Sequence, residues 1–179
     1  MKILDIGCGL NKYPGSTGMN REDLPNVDIV YNLGAFPWPI SDNSYVKVLA
    51  FHSLKHTSNI LGVLGKIFRI LKPKGTLHVR VLHFTSDNFY NDVTHKTFFS
   101  TRFFNNFVKC NSTTQYNYYH NIYLKKLSKE VHFLKKGLLN PYIIFLIHYI
   151  FNLFLKIYER FFSFIIPALE IEFFLEVDK

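Results

Sequence analysis

The feature that most constrains the fold is a short apolar run that ends in a glycine turn at the start of the chain. Ile3–Ile6 is too short for a helix and is typical of a buried strand in a parallel sheet. Gly7–Gly9 follows directly, and its two glycines let the backbone turn sharply and approach a ligand. Asp5 lies at the carboxyl end of this strand, the edge at which open α/β sheets bind ligands. The opening therefore predicts a nucleoside or nucleotide site.

Length and composition indicate one globular domain. The chain has 179 residues, of which 48% are hydrophobic and 17% aromatic, and this excludes disorder for most of its length. Its two cysteines, Cys8 and Cys110, form no disulfide framework. Because Cys8 lies inside the glycine turn, a reducing, cytoplasmic setting is favoured. The amino end enters a strand directly, so no signal peptide is predicted.

The chain is basic, with a formal charge of +8 from 21 Lys and Arg against 13 Asp and Glu. Such a charge attracts acidic partners, among them nucleic acids and anionic lipids. A nucleic acid is therefore a possible partner that the charge does not specifically favour. The lysines are spread over several segments and form no basic tract. Lysine-rich faces exposed to water are therefore the simpler interpretation.

Three short strands are predicted after the turn. Residues 18–20 form the first, and the connection from Gly9 is too short for the usual crossover helix. Val27–Leu33 is rich in β-branched residues and predicts the next strand, and Val46–Phe51 predicts the third. Between them, the two prolines of residues 36–39 exclude a helix or a central strand. The early helices are thus reduced in this fold.

The clearest helix is predicted over Ser58–Leu71, where apolar residues recur at a spacing of three or four. Thr57 or the first residue of this range caps it, and Pro73 with Gly75 ends it. Thr76–Leu82 then favours a further strand. The three elements together predict a strand–helix–strand crossover.

The second half is less regular. Residues 83–100 are polar and aromatic without a clear period and predict a loop or lid. Phe98–Val108 favours a helix, and Tyr116–Leu124 a late strand. Residues 170–177 alternate glutamates with apolar residues, which predicts a half-exposed antiparallel strand at the sheet edge, where the glutamates deter wrong pairing.

A long apolar segment, residues 141–166, opens with proline at a first helical position. Polar residues recur along it every three or four places, which predicts a helix with a broad apolar face and a narrow polar stripe. A membrane span would place Lys156, Glu159 and Arg160 in the bilayer, at about 2.5–3.5 kcal/mol for each charge. Packing on the core, or lying along a membrane surface, is therefore favoured.

In their order and spacing these landmarks resemble a class I S-adenosylmethionine-dependent methyltransferase of the methyltransferase-11-like group. The likeness extends over most of the chain and is weak between about residues 105 and 140. The matching motifs are Leu4-Asp5-Ile6-Gly7-Cys8-Gly9 with Asn11-Lys12 and Pro14-Gly15, Pro37-Trp38-Pro39 with Asp42-Asn43-Ser44, His52-Ser53-Leu54-Lys55-His56, Ile70-Leu71-Lys72-Pro73-Lys74-Gly75, Asp92-Val93-Thr94-His95, and Tyr158-Glu159-Arg160 to Ile166-Pro167-Ala168.

The resemblance implies a Rossmann-like α/β fold. Its mostly parallel sheet would carry an antiparallel C-terminal edge strand, with reduced early helices and a long C-terminal amphipathic helix. One domain would extend over residues 1–179, in which 1–82 bind the cofactor and 83–179 supply the substrate-side loop, the helix and the last strand. The implied activity is transfer of a methyl group from S-adenosyl-L-methionine to an acceptor that the sequence does not identify.

The resemblance also assigns a cofactor site in which three acids are missing. Such families bind both ribose hydroxyls with an acid after the second strand, where this chain has Asn20, an amide that replaces a carboxylate only in part. Asp23 is close enough in sequence to substitute, and acids are also absent at Asn32 and Lys55. The implied cofactor-binding residues are Asp5, Gly7, Cys8, Gly9, Asn20, Asn32, Leu33 and His52.

Three residues after the fifth strand, His83, Asp92 and His95, are the candidates for acid–base catalysis. Methyl transfer needs a positioned nucleophile and a base for any proton lost, and a histidine or carboxylate serves an oxygen or nitrogen acceptor. Alternatively, Asp92 and His95 only tie down the loop. Aromatic residues that would stack on a planar substrate or else fill the core are Tyr90, Phe98, Phe99, Phe103 and Phe104.

Two further points stay open. His52 and His56 would share a face and could bind a metal if their segment is helical, but Lys55 stands where a carboxylate is needed, so no metal site is predicted. The missing acids also favour a second function, that of a degenerate methyltransferase-like protein acting as an interaction module, or at a membrane surface through residues 141–166. The sequence does not set the oligomeric state.

Overall fold

A computed structural model describes residues 2–108, 121–133 and 141–179. Within these ranges seven strands form one mixed sheet, and helices lie in the connections between strands. The strands are β1 (Ile3–Ile6), β2 (Thr17–Asn20), β3 (Ile29–Val30), β4 (Tyr45–Phe51), β5 (Leu71–Leu82), β6 (Leu124–His132) and β7 (Glu170–Val177), and the helices are α1 (Ile60–Ile70), α2 (Pro141–Leu153) and α3 (Leu155–Ile157).

The sheet has the order β3-β2-β1-β4-β5-β7-β6, and β1 is a central strand. It pairs in parallel with β2 on one side and with β4 on the other, and β2–β3 and β4–β5 are also parallel. The strand order therefore reverses at β1, and in open α/β sheets ligands bind at such a reversal. The glycine turn follows β1 at this point, so the predicted nucleotide site lies where the topology favours one.

The other side of the sheet is antiparallel. The sequence predicted the last strand, residues 170–177, at the edge of the sheet, but this strand is the second from the edge. β7 pairs antiparallel with both β5 and β6, so an antiparallel edge is present but β6 forms it. The missed strand, β6, has a lysine-rich sequence without regular apolar alternation. Of the predicted strand Tyr116–Leu124, residues 116–120 lie outside the described residues, and Leu124 is the first residue of β6.

Because β7 is interior, one of its glutamates does not have the predicted role at an edge. Glu172 is only 7% exposed. Its Oε1 lies 2.8 Å from Nε2 of His78 and 2.7 Å from Nη2 of Arg80, both on β5, and its Oε2 lies 3.3 Å from Nε2 of His132 on β6. Glu172 thus links three strands across one face of the sheet.

The strand–helix–strand crossover is confirmed, with different ends. α1 is capped by Asn59, whose Oδ1 accepts a hydrogen bond from the Gly62 N–H at 2.9 Å, rather than by Thr57 or Ser58. Its buried side, which includes Val63, Leu64, Ile67 and Ile70, packs into the hydrophobic core. β5 begins directly at Leu71, so Pro73 and Gly75 lie inside the strand and not in a separating turn.

Other local predictions were partly correct. The strand predicted over Val27–Leu33 is reduced to β3, and the helix predicted over Phe98–Val108 is a short 3-10 helix at Phe103–Phe107. Residues 7–16 contain no helix, so the first crossover helix is absent, as the short connection predicts. Cys110 lies outside the described residues.

The apolar C-terminal segment is not one helix. α2 ends at Leu153, and a bend of 94° separates it from the helical segment Leu155–Phe162, which includes a π-helical turn at Tyr158–Phe162. Among the described residues, no single helix meets the length and hydropathy needed to cross a bilayer, whereas these two bent segments meet them only when taken together.

α2 faces the protein with a narrow side of polar and apolar residues and presents most of its apolar side chains to solvent. None of its described side chains is fully buried. Its polar stripe faces the protein, because His148 Nε2 lies 2.7 Å from Oε1 of Glu130 and Asn152 bonds to both backbone groups of Val131. On the same inner side, Ile147 and Phe151 are partly buried and pack against the hydrophobic core. The exposed apolar side chains of α2 include Tyr142, Ile143, Phe145, Leu146, Tyr149, Ile150 and Leu153.

Candidate functional site

The glycine turn after β1 has two glycines with different surroundings. Gly7 has φ +68° and donates its N–H to the Met19 carbonyl at 2.7 Å. A Cβ on Gly7 would lie 2.4 Å from the Cβ of Ser53, so only glycine fits there. Gly9 has φ +53°, and a Cβ on it would meet no atom within 4 Å. The turn is thus held tightly against the β4 side and is open at Gly9, where a ligand can approach the backbone.

Ser53 is a neighbour of the turn that the sequence analysis did not select. It directly precedes the 3-10 turn Leu54–His56 after β4 and is 7% exposed. Its Oγ is buried and has no hydrogen-bond partner among the described residues. An unpaired hydroxyl beside an open glycine turn fits a polar ligand, since buried polar groups usually have partners. Its position across from Gly7 follows from the β1–β4 pairing, which the sequence alone does not reveal.

Asp5 and Cys8 are placed as predicted at the carboxyl end of β1, and both are buried. The Asp5 Oδ2 accepts a hydrogen bond from the Tyr13 N–H at 2.9 Å, which ties the loop after the turn back to the strand. Burial raises the pKa of Asp5, and it also raises the pKa of the Cys8 thiol. Cys8 therefore stays protonated at neutral pH and acts by packing.

The polar residues after β2 and β3 leave specific atoms available. Asn20 donates its Nδ2 hydrogen to the Glu22 carbonyl at 3.0 Å, and its Oδ1 has no bond among the described residues. The Asn32 Oδ1 accepts from the Gly34 N–H at 2.9 Å, and the Leu33 carbonyl accepts from Trp38 Nε1 at 3.1 Å. An acceptor at Asn20 and a donor at Asn32 are thus the groups that these loops can offer to a ligand. The predicted substitute Asp23 is exposed.

A second pair near β2 was missed by sequence reasoning. Asp28 Oδ2 accepts hydrogen bonds from the Gly18 N–H at 2.7 Å and from Lys12 Nζ at 2.9 Å. These bonds, the first from Gly18, lower the pKa of Asp28. A Cβ on Gly18 would lie 2.6 Å from Cδ of Lys12, so the lysine crosses directly over the strand. The pair fixes the loop that carries the glycine turn.

His52 ends β4 in a strained conformation. Its φ is +56°, and its N–H donates to the Arg80 carbonyl at 2.7 Å. Its Nε2 lies 3.6 Å from Oε1 of Glu170, but burial lowers the pKa of His52 more than this carboxylate raises it. His52 and His56 do not share a helical face, because the 3-10 turn begins only at Leu54.

His83, one of the predicted catalytic residues, is fully buried at 0% exposure. Its Nδ1 accepts from the Thr85 N–H at 3.2 Å, and its Nε2 lies 3.5 Å from Oε1 of Glu159. Burial raises the pKa of Glu159, but hydrogen bonds from His83 and Thr101 hold it below its ordinary value. This buried contact connects the loop after β5 to the π-helical turn, and the placement favours support of the fold over contact with a substrate.

Asp92 and His95 lie together, with Asp92 Oδ2 3.5 Å from His95 Nε2. Asp92 is exposed, and hydrogen bonds from Thr94 lower its pKa. The loop that carries them is tied to the segment after β4, because the N–H groups of Lys96 and Thr97 both donate to the Lys55 carbonyl. This segment also carries Ser53, so the substrate-side loop is connected through it to the glycine turn.

An aromatic cavity of about 460 Å³ opens beside the same loop. Of the predicted stacking residues, Tyr90, Phe98, Phe99 and Phe103 line it. Phe99 is at the same time a fully buried core residue, and Phe104 belongs to the core alone. The other lining residues are Phe84, Ser100 and Phe164. A cavity of this size with mostly aromatic walls suits an apolar organic molecule.

Sequence comparisons place the chain near methyltransferases. No protein-family model matches it. Sterol 24-C-methyltransferase of Neurospora crassa is 32% identical over 115 residues, which covers 51% of this chain and 30% of the relative. The corresponding protein of Schizosaccharomyces pombe is 31% identical over 101 residues, covering 44% and 27%. The matched part is thus less than a third of the length of these relatives.

Solved structures share the architecture across nearly the whole chain. A SAM-dependent methyltransferase from Archaeoglobus fulgidus has a TM-score of 0.57 at 14% identity, covering 98% of this chain and 85% of that one. A putative methyltransferase from Listeria monocytogenes has a TM-score of 0.56 at 14% identity, covering 99% and 90%. The [4+2]-cyclase SpnF has a TM-score of 0.56 at 14% identity, and the match covers 99% of this chain and 75% of the cyclase. This chain therefore has the fold of the class I S-adenosylmethionine-dependent methyltransferases.

Proposed function

We propose that the chain is an S-adenosylmethionine-dependent methyltransferase that acts on an acceptor with an apolar, planar part. The observation that carries the proposal is the open glycine turn at the central strand, where the strand order reverses and Gly9 leaves the backbone accessible. The sterol methyltransferases to which the chain is similar support the reaction class. The fold alone does not, since a neighbour of the same architecture is a cyclase.

The residues at the turn fit the proposed cofactor. Backbone amides of Gly7–Gly9 can approach its amino acid part, and the hydroxyl of Ser53 lacks a partner there. The Oδ1 of Asn20 can accept one ribose hydroxyl, and the Nδ2 of Asn32 can donate to the adenine. When bound, the cofactor supplies an electrophilic methyl group on a sulfonium. The cofactor site thus depends mainly on backbone groups and neutral amides.

The acceptor side is assigned to the aromatic cavity. Its walls, Tyr90 and Phe98 among them, are exposed aromatic rings on which a flat apolar molecule can stack, and positioning is the main task in a methyl transfer. Asp92 and His95 stay in the proposal as polar groups of the same loop, and His83 as the buried group that supports it. Sterols are the acceptors named for the relatives, and they have the required shape and polarity.

Calorimetry with S-adenosylhomocysteine tests the cofactor site, using Gly9→Ala and a matched control, Gly15→Ala. Both glycines have positive φ, 53° and 74°, and open space at the Cβ, so both substitutions introduce the same backbone strain. We expect the wild type and Gly15→Ala to bind, and Gly9→Ala to bind at least about tenfold more weakly, since about 1.4 kcal/mol is tenfold in affinity. Absence of wild-type binding would instead support the degenerate interaction module.

Transfer is then measured with labelled S-adenosylmethionine and two acceptors, a sterol and a small hydrophilic phenol. The proposal expects label in the sterol and none in the phenol. Label in the phenol alone would contradict the assignment of the aromatic cavity. Binding of the cofactor without transfer to either would contradict the proposed acceptor class and leave the cofactor site in place.

A second function is favoured by the orientation of α2, and we propose it as a membrane-surface contact. The outward apolar face continues past the bend through Phe154, Ile157 and Phe161, with the exposed Lys156 and Arg160 beside them. Exposed apolar patches of this extent mark interaction surfaces. Apolar side chains flanked by basic ones, on a chain of net charge +8, suit an anionic bilayer surface.

Flotation with vesicles of phosphatidylcholine and phosphatidylserine tests this contact. Phe145→Glu should abolish flotation, whereas Leu61→Glu, an exposed apolar residue on α1, should float as the wild type does. Equal flotation of both variants would exclude α2 as the membrane contact. Concentration-dependent dimerisation without flotation would show that a second copy covers this face instead.

A further inference from the structure

Two side chains of the loop after β5 meet a third from the distant segment after β4. His56, Asp92 and His95 can each offer one ligand atom, and these atoms all lie within 4.8 Å of one another. The rings of His56 and His95 have centroids 4.9 Å apart. Two imidazoles and one carboxylate at this separation form a ligand set that suits a divalent transition metal.

The hydrogen bonds around His95 leave one nitrogen without a partner. Its Nδ1 lies 2.8 Å from the Phe89 carbonyl, which can only accept, so Nδ1 carries the hydrogen. The Nε2 is buried, in a side chain that is 3% exposed, and it has no hydrogen-bond partner. It points toward the Asp92 carboxylate at 3.5 Å. A cation between this nitrogen and the carboxylate oxygen would have both atoms as ligands.

The other two ligands are oriented in the same manner. The Thr94 hydroxyl donates to Asp92 Oδ1 at 2.6 Å, so the contact of 2.8 Å between this hydroxyl and His56 Nδ1 needs the hydrogen on Nδ1. The Nε2 of neutral His56 is then a free electron-pair donor. Histidines that bind metals commonly donate their other ring hydrogen to a neighbouring oxygen, as both histidines do here.

A second group with suitable spacing consists of Glu130, His132 and His148. Within the described part of the chain, it lacks a buried histidine nitrogen without a hydrogen-bond partner. His148 Nε2 lies 2.7 Å from Glu130 Oε1, and His132 Nε2 lies 3.3 Å from Glu172 Oε2. The nitrogens of this group thus already have carboxylate partners. The contrast between the two groups favours the one that contains the unpaired His95 nitrogen.

We propose that His56, Asp92 and His95 bind one divalent transition-metal ion of the zinc class. Three protein ligands leave a position open for water or another ligand. The ion would fasten the substrate-side loop to the segment after β4, in addition to the bonds that Lys96 and Thr97 make to the Lys55 carbonyl. None of its ligands lies in the glycine turn, so binding of the ion can be measured separately from binding of the proposed cofactor.

Metal titration of the full chain, purified without a histidine tag and stripped with a chelator, tests the site. Zn²⁺ is titrated against a chromophoric chelator, and Co²⁺ is followed by its visible absorption. We expect one Zn²⁺ per chain. His56→Gln, at an exposed residue that tolerates change, and Asp92→Asn should each weaken binding by at least about 100-fold, more than loss of an outer hydrogen-bond partner does.

His148→Gln is the matched control, since it removes a histidine from the other group and should bind Zn²⁺ as the wild type does. Thr94→Val should show an intermediate loss of about 10- to 100-fold, because it removes only the hydroxyl that orients two ligands. The proposal is overturned if wild type and His56→Gln bind equally, if the wild type does not bind, or if His148→Gln alone loses the ion. Calorimetry with S-adenosylhomocysteine on the same samples reports separately on the proposed cofactor site.

Discussion

At the scale of single residues, the two glycines of the turn are required for different reasons. Gly7 is needed because a side chain would collide with Ser53, whereas Gly9 is needed because of its positive φ and the open space in front of it. The first requirement concerns the stability of the fold, and the second concerns access by a ligand. Substitutions at the two positions should therefore affect different measurements.

Gly7→Ala should destabilise the protein by about 2–5 kcal/mol, because a left-handed residue with a Cβ costs about 1–2 kcal/mol and overpacking a further 1–3. Chemical denaturation measures the loss. The double variant Gly7→Ala/Ser53→Gly removes the collision and should recover the overpacking part. If the double variant is no more stable than Gly7→Ala, the close contact with Ser53 is not the cause.

Asn20→Asp should tighten binding of S-adenosylhomocysteine. A carboxylate can accept both ribose hydroxyls, and charge-assisted hydrogen bonds contribute about 1.5–3 kcal/mol against about 1 for neutral ones. The loss of the bond from Nδ2 to the Glu22 carbonyl offsets part of this gain, so we expect an increase of about tenfold. Calorimetry that finds equal affinities would show that Asn20 does not contact the ribose.

At the scale of elements, α2 is attached to the rest of the protein by polar groups beside two partly buried apolar side chains, Ile147 and Phe151. Its Asn152 accepts from the Val131 N–H at 2.8 Å and donates to the Val131 carbonyl at 2.9 Å, so a side chain pairs with the backbone of the edge strand β6. This pairing covers part of an edge that would otherwise be available to another chain. It also explains why the narrow polar stripe of α2 faces inward.

Asn152→Leu should cost about 2–4 kcal/mol, because it leaves both backbone groups of Val131 without their partner, at about 1–3 kcal/mol for each. Urea denaturation measures this cost. Leu153→Asn, at the neighbouring exposed position, is the control and should change stability by less than about 0.5 kcal/mol. Similar effects of the two substitutions would show that α2 is not held through Asn152.

At the scale of the whole molecule, the Glu172 cluster joins the antiparallel end of the sheet. Burial raises the pKa of Glu172, but Arg80 and His78 more than offset this and hold it below its ordinary value of 4.5. Burial also lowers the pKa of His78. Both groups then bind fewer protons when folded than when unfolded, so acid favours the unfolded state.

Stability should therefore be complete above the ordinary pKa of His78, 6.5, and should decline as the pH falls, first through His78 and then through Glu172. Glu172→Gln should lower stability at pH 7 by about 1 kcal/mol, since it removes the charged partner of Arg80, whose own side chain is 40% exposed and therefore screened by solvent. It should also flatten the acid limb of a plot of unfolding free energy against pH. An acid limb unchanged in Glu172→Gln would assign the acid sensitivity to other groups.

The sequence by itself determined the parts of the fold that depend on local pattern. The strand and glycine turn, the crossover around α1 and the absence of an early helix follow from apolar spacing, glycine, proline and connection length, which act over a few residues. The same patterns located the predicted cofactor residues along the chain, since these follow strands directly. Their roles in binding stay predictions.

Only the tertiary structure decided what depends on pairing between distant segments. β6 pairs with the outer side of β7, and α2 turns its polar stripe inward. His83 is buried against Glu159. Each of these contacts joins strands, helices or loops from separate parts of the chain. The group His56, Asp92 and His95 likewise forms because Lys55 binds the loop that carries the other two. Local periodicity contains no information on such contacts, because their energy depends on which surfaces the whole sheet brings together.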